Sequence, residues 1–174
     1  DDYNVSGALN IFDLGGDLDF EGHAFGVPSV YCRVQGKEGT LPASHSPNVV
    51  HEVGHCLGLL HPYTGFDELS GCDDTDPQAE CPDQSFVEDL CYCCGDAICD
   101  LGPSYLSLFI NSSCTQCENS NGDPVPIADC KNYMSGAADN QSILCTDYFT
   151  EEQVLRMKHY LDNSPTLAAM QLRP

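Results

Sequence analysis

The chain has 174 residues, of which 41% are hydrophobic and 19% charged, and a net charge of -21. That length suits one domain, or two small lobes about a cleft, and no apolar run approaches the roughly 18 residues of a membrane span. Six Lys and Arg against 27 Asp and Glu make a surface that repels phosphate backbones and anionic headgroups, so neither nucleic acid nor membrane is an expected partner.

Twelve cysteines point to an oxidising, extracellular setting, because cytosolic thiols are kept reduced. Asn4, Asn111 and Asn140 each open an N-x-Ser pattern and are candidate glycosylation sites of a secreted chain. The sequence opens on Asp1 with no basic or apolar leader, so any signal or pro-segment is expected to be removed already or to lie outside the chain, as are any flanking domains.

In chain order, Ala8-Leu9-Asn10-Ile11-Phe12 and Ser29-Val30-Tyr31-Cys32-Arg33-Val34 read as strands separated by Gly- and Asp-rich turn material. Ser46-Pro47 is a helix start, Ser for the cap and Pro for the first helical position. From there Val49, Val53, Cys56 and Leu60 recur at the spacing of a buried helical stripe, leaving His51 and His55 together on another face. Pro62 to Lys131 holds nine cysteines among many Gly, Pro, Asp and Asn, and reads as irregular structure fastened by disulfides. Cys114 and Cys117 within it have CxxC spacing, although structural zinc in this region ranks below the readings that follow. Thr150 starts a last helix with a capping box to Gln153 and a staple from Phe149 to Val154; Val154, Met157 and Leu161 are its expected buried stripe.

The chemistry is concentrated in His51 to His61, HEVGHCLGLLH. His51 and His55, one turn apart, can offer two imidazole nitrogens to a zinc ion, which in catalytic sites takes three protein ligands and keeps one position for water. Gly58 can leave the helix at positive φ and return the chain so that His61 supplies the third. Glu52 is then placed to take a proton from the fourth-position water and pass it to a leaving amine, the requirement for hydrolysing a peptide bond. Cys56, one residue after His55, points about 100 degrees away. Burial or a disulfide, with Cys32 as one candidate partner, accounts for it.

HEVGHCLGLLH resembles the extended HExxHxxGxxH zinc motif of the metzincin metallopeptidases. Met134, in Asn132-Tyr133-Met134-Ser135, stands where that resemblance implies a Met-turn beneath the metal. Ala8 to Phe12, Gly95-Asp96-Ala97-Ile98-Cys99-Asp100, and Phe149 to Val154 make the pappalysin-like family the best match. The likeness runs from about Ala8 to Leu161 and is weakest in the cysteine-rich middle. It implies an α+β catalytic domain over residues 1–174. An upper subdomain (about 1–61) would have a twisted sheet with a backing helix and the zinc-site helix. A disulfide-rich lower subdomain (about 62–174) would hold the Met-turn and the C-terminal helix.

The resemblance also implies calcium in acidic loops, for which Asp73, Asp74, Asp76, Asp96 and Asp100 are candidate oxygen donors. It further implies an S1′ wall carrying Asp139, which would favour Lys or Arg after the scissile bond of a protein or peptide substrate. Two departures stand out. Gly136 replaces a family tyrosine that supports the oxyanion, unless Tyr133 or Tyr148 substitutes, and Pro62 after the third histidine is shared with some serralysin-like metzincins. The expected function is a secreted zinc endopeptidase. The alternative is a binding or structural module on the same scaffold, weakly active or inactive because of Gly136.

Overall fold

The computed structural model describes residues 5–14, 22–34, 47–62, 98, 100, 108–135 and 145–170. Asn4, Asp73, Asp74, Asp76, Asp96, Gly136, Asp139 and Asn140 lie outside them. The chain divides into two compact units, Asp1–Leu59 with Gln153–Pro174, and Leu60–Glu152. The C-terminal helix thus groups with the N-terminal strands, whereas the sequence reading places it with residues 62–150.

In the first unit, β1 (Asn10–Asp13) pairs in parallel with β3 (Tyr31–Val34), and β2 (Gly22–Ala24) pairs antiparallel with β3 on its other side. Cys32 and Val34 alternate with half-buried Tyr31 and Arg33, so the central strand turns one face to a core. The helix α1 (Pro47–Cys56) packs on β2 and β3, and no helix precedes it among the described residues. Ser29 N–H donates to the Cys56 carbonyl at 3.0 Å, satisfying one of the acceptors a helix end leaves open.

Two elements differ from expectation. The first, β2, falls in the stretch read as turn material; three residues, Gly-His-Ala, are too few for a period of two to register. Its neighbours fasten it through ring contacts. His23 meets Phe25 edge-on at 5.0 Å, Phe25 lies 4.8 Å from Tyr31, and the Arg33 guanidinium sits 5.1 Å from the Phe25 ring centre. The second is the orientation of α3 (Glu151–Asn163). Val154 is 49% exposed whereas Gln153 is buried completely, so the inward face runs through Gln153 and Tyr160 rather than through Val154. Tyr160 covers the turn after α1, and that contact sets the rotation of the helix. Phe149 packs on Tyr133 at 5.0 Å, while its expected staple partner Val154 faces outward.

The second unit contains a three-stranded antiparallel sheet, β4 (Leu108–Ile110), β5 (Cys117–Asn119) and β6 (Pro124–Val125), followed by the short helix α2 (Ile127–Lys131). Part of the stretch read as irregular is therefore sheet, in strands of two or three residues that leave no periodic trace. Its core is Leu108, Ile110, Cys117, Cys130 and Cys145. Disulfides join Cys114 to Cys145 and Cys117 to Cys130. The CxxC pair thus serves two different cross-links, which removes it as a structural zinc site.

Candidate metal centre

The helix α1 ends in a Schellman motif. Leu59 N–H donates to the Gly54 carbonyl (3.0 Å) and Gly58 N–H to the His55 carbonyl (2.9 Å), with Gly58 at φ +97°. Only glycine reaches that conformation without strain. Gly58 also answers a steric demand. A Cβ built on it would lie 2.5 Å from Tyr160 Cγ and nearer still to Cδ2. The Tyr160 ring thus lies flush on the turn, and Leu59 is completely buried beside it.

This turn assembles the imidazoles. His51, His55 and His61 each offer a ring nitrogen, and these three atoms lie within 4.8 Å of one another. Among the described residues they are the one group of three or more His, Cys, Asp or Glu side chains placed to share an ion. His55 Nδ1 lies 2.8 Å from the Leu59 carbonyl, a contact that makes Nδ1 the protonated nitrogen and leaves the Nε2 lone pair for a metal. His55 Nε2 and His51 Nε2 are 3.1 Å apart, with their rings at 85°. That separation is close to the roughly 3.3 Å between two nitrogens that share a tetrahedral ion at about 2.05 Å. Burial lowers the His55 pKa despite the Leu59 hydrogen bond, with nearby His23 adding to the effect, so the ring is neutral, as a ligand must be. A set of three imidazoles suits zinc better than calcium or magnesium, which take oxygen ligands.

Glu52 lies one residue after His51 and is 7% exposed. Its side chain presses against β2 where Gly22 leaves room: a Cβ there would stand 2.5 Å from Oε1 and 2.7 Å from Cγ. Burial pushes its pKa up to about 7, opposed by a hydrogen bond from the Ala24 backbone. Oε2 is buried and has no hydrogen-bond partner. An orphaned carboxylate oxygen beside a histidine triad needs an explanation, and a proton-transfer role next to a metal supplies one. Sequence reasoning missed Gly22, Ala24, His23 and Tyr160 here. Their contribution depends on pairing and packing, for which no local motif exists.

Cys56 is fully buried, and its thiol hydrogen-bonds Cys32. Met134 is likewise fully buried, in a tight turn where Ser135 N–H donates to the Asn132 carbonyl (3.1 Å) and Met134 N–H to Asn132 Oδ1 (2.9 Å). The Tyr148 hydroxyl donates to the Ala128 carbonyl at 2.9 Å and is committed to α2. Asp100 caps α3: Glu152 N–H donates to Asp100 Oδ2 (2.8 Å) and Asp100 N–H to Glu152 Oε2 (3.2 Å). Asn111 organises its own turn, Oδ1 accepting from Thr115 and Gln116 N–H while Nδ2 donates to their side chains. The atom that a glycan would modify is thus employed in the fold.

No protein-family model matches the chain. In fold it is similar to Tannerella forsythia mature mirolysin, solved in complex with a cleaved peptide, with a TM-score of 0.51 and 23% identity over 94% of this chain and 56% of that one. The fold and the clustered imidazoles together define an α+β domain with three convergent histidines. In sequence the chain is 34% identical to pappalysin-1 of Homo sapiens and 33% to that of Mus musculus, each over 129 residues. The match takes in 68% of this chain and 6% of either relative. Over that stretch the chain is similar to the pappalysins, and it spans a small part of the length of the relatives it matches.

Proposed function

We infer that the chain is a secreted zinc endopeptidase. The observation that carries this reading is Glu52 Oε2, buried and without a partner, one residue from a histidine triad whose ring nitrogens converge. His51, His55 and His61 would hold zinc, and Met134 is the residue that the family resemblance would assign to the Met-turn. Zinc held there would supply Lewis acidity for acidifying water and polarising the scissile carbonyl. Glu52 accepts the proton of the attacking water on its carboxylate and returns it to the departing amine nitrogen. Its raised pKa, about 7, matches a group that must both take and give a proton near neutrality. Among the described residues β2 is an edge strand, so an extended peptide can add to it through main-chain hydrogen bonds. Gly22, packed on the Glu52 carboxylate, brings that edge to the reacting group.

Secretion is supported by the two disulfides of the second unit, and no helix among the described residues is long and apolar enough to cross a membrane. Asp139 would select Lys or Arg at P1′; a peptide library cleaved without that preference, or with it intact in Asp139→Ala, removes the assignment. Calcium bound by Asp73, Asp74, Asp76, Asp96 and Asp100 is a separate proposal, tested by counting calcium in the purified chain.

The central test measures bound zinc and cleavage of a denatured protein, with and without chelator, for wild type and Glu52→Ala. Zinc is expected in both proteins. Chelator-sensitive cleavage is expected in wild type and should fall about 10²–10⁴-fold in the variant. Zinc in both, with no cleavage by wild type, would instead make the chain a binding module.

A further inference from the structure

We propose that Cys32 and Cys56 close a disulfide that ties the metal-binding helix α1 to the central strand β3. Among the described cysteines, Cys114, Cys117, Cys130 and Cys145 are already cross-linked, so the chain folds where thiols are oxidised. Cys32 and Cys56 are the two that stand as thiols. Both are completely buried, and their side chains hydrogen-bond each other. Cys32 is in the middle of the sheet, paired with Ile11 on one side and Ala24 on the other. Cys56 is the last residue of α1, and its carbonyl is already fastened to Ser29 N–H. The backbone around the pair is therefore held on both sides before any bond forms.

The reaction is thiol–disulfide exchange with a low-molecular-weight organic disulfide. One protein sulfur attacks the reagent and expels a thiol, then the second protein sulfur attacks the mixed disulfide and expels another. Two protein thiols are oxidised, one reagent disulfide is reduced to two thiols, and the protons pass to the released thiolates. Because neither sulfur is exposed in the folded chain, exchange takes place during folding. The finished bond is then shielded from soluble thiols, which makes it a structural staple. It encloses the segment that contains β3, His51, Glu52 and His55, so both ligands borne by α1 are held to the sheet covalently as well as by packing.

The sequence allows a direct test. Cleavage after glutamate releases residues 22–38 and 53–68, each with a single cysteine, Cys32 or Cys56. The chain is folded in an oxidising thiol buffer, denatured with iodoacetamide but no reductant, digested with a Glu-specific protease and weighed. The expected product is the two peptides joined, separating on reduction. Recovery of both peptides singly alkylated, or of either one joined to a different cysteine peptide, overturns the proposal. A second measurement does not depend on peptide recovery. Without reductant, Cys32→Ala, Cys56→Ala and the double variant should each lower Tm by the same amount, on the order of 5–15 °C, because each removes the same bond. Losses that add would mean two independent thiols.

Discussion

Gly58→Ala isolates the reasoning about the turn. Two separate penalties apply. Holding an L-residue at φ +97° costs about 1–2 kcal/mol, and forcing a methyl into the space occupied by the Tyr160 ring costs about 1–3 kcal/mol as overpacking. Together they amount to roughly 2–5 kcal/mol, and for a chain of this size Tm should fall by about 5–15 °C. The turn also presents the Leu59 carbonyl to His55 Nδ1 at 2.8 Å. Loss of such an outer-shell contact lowers metal affinity by about 10–100-fold. Thermal unfolding of the metal-free protein reads the first effect, and zinc competition against a chromogenic chelator reads the second. A double-mutant cycle separates the two penalties: in a Tyr160→Ala background the steric part disappears and the dihedral part stays, so Gly58→Ala should cost about 1–3 kcal/mol less there. An unchanged cost in that background would refute the packing argument, and an unchanged Tm in the single variant would refute both.

The other predictions concern the metal, the base and the second unit. Removing zinc from protein saturated at about 100-fold over its dissociation constant should cost about 2.7 kcal/mol of stability, recovered on adding zinc back; a His61→Ala chain should show no response to either treatment. Gly22→Ala should displace the Glu52 carboxylate and lower kcat with little change in bound zinc. The same substitution should leave the residual rate of a Glu52→Ala chain unchanged, and an equal loss in both backgrounds would separate Gly22 from Glu52. Replacing Cys117 and Cys130 by alanine opens a loop of 13 residues and should cost about 3 kcal/mol by chain entropy, measured as a shift in denaturant midpoint at constant m-value.

What could be read from the sequence is what is local. Pro47 marks the start of α1, because first-turn chemistry involves neighbouring residues, while Ser46, the expected cap, lies outside the described residues. Gly58 marks its end, because a Schellman motif is a property of six consecutive residues. Three histidines at fixed offsets within one helix and its turn converge without help from the rest of the chain. The elements that differ from the sequence expectation depend on distant partners. β2 is a strand because Arg33 and Phe25 fasten it to β3. Thr150 stands where a cap was expected, and Asp100, about fifty residues earlier, accepts the Glu152 N–H in the first turn, a contact that no local pattern encodes. On α3 the apolar positions Val154, Met157 and Leu161 have helical spacing, yet Val154 is exposed and the completely buried position is Gln153. Hydrophobic periodicity identifies a helix, and the contact each neighbour needs decides its rotation.

Gly22 and Gly58 show how the two kinds of information meet at the candidate centre. Both glycines make room for a large side chain, Gly22 for the Glu52 carboxylate and Gly58 for the Tyr160 ring. The need for Gly58 could be inferred from its place in the motif, since the turn requires positive φ whatever lies above it. Gly22 has no positive φ to announce it, and its requirement is purely one of space. Glycine within a strand weakens the strand, and the three-residue β2 tolerates one because a buried carboxylate takes the place of a side chain. The residue that positions the proposed base is therefore as specific as the histidines, although the feature that identifies it is a contact made across about thirty residues of sequence.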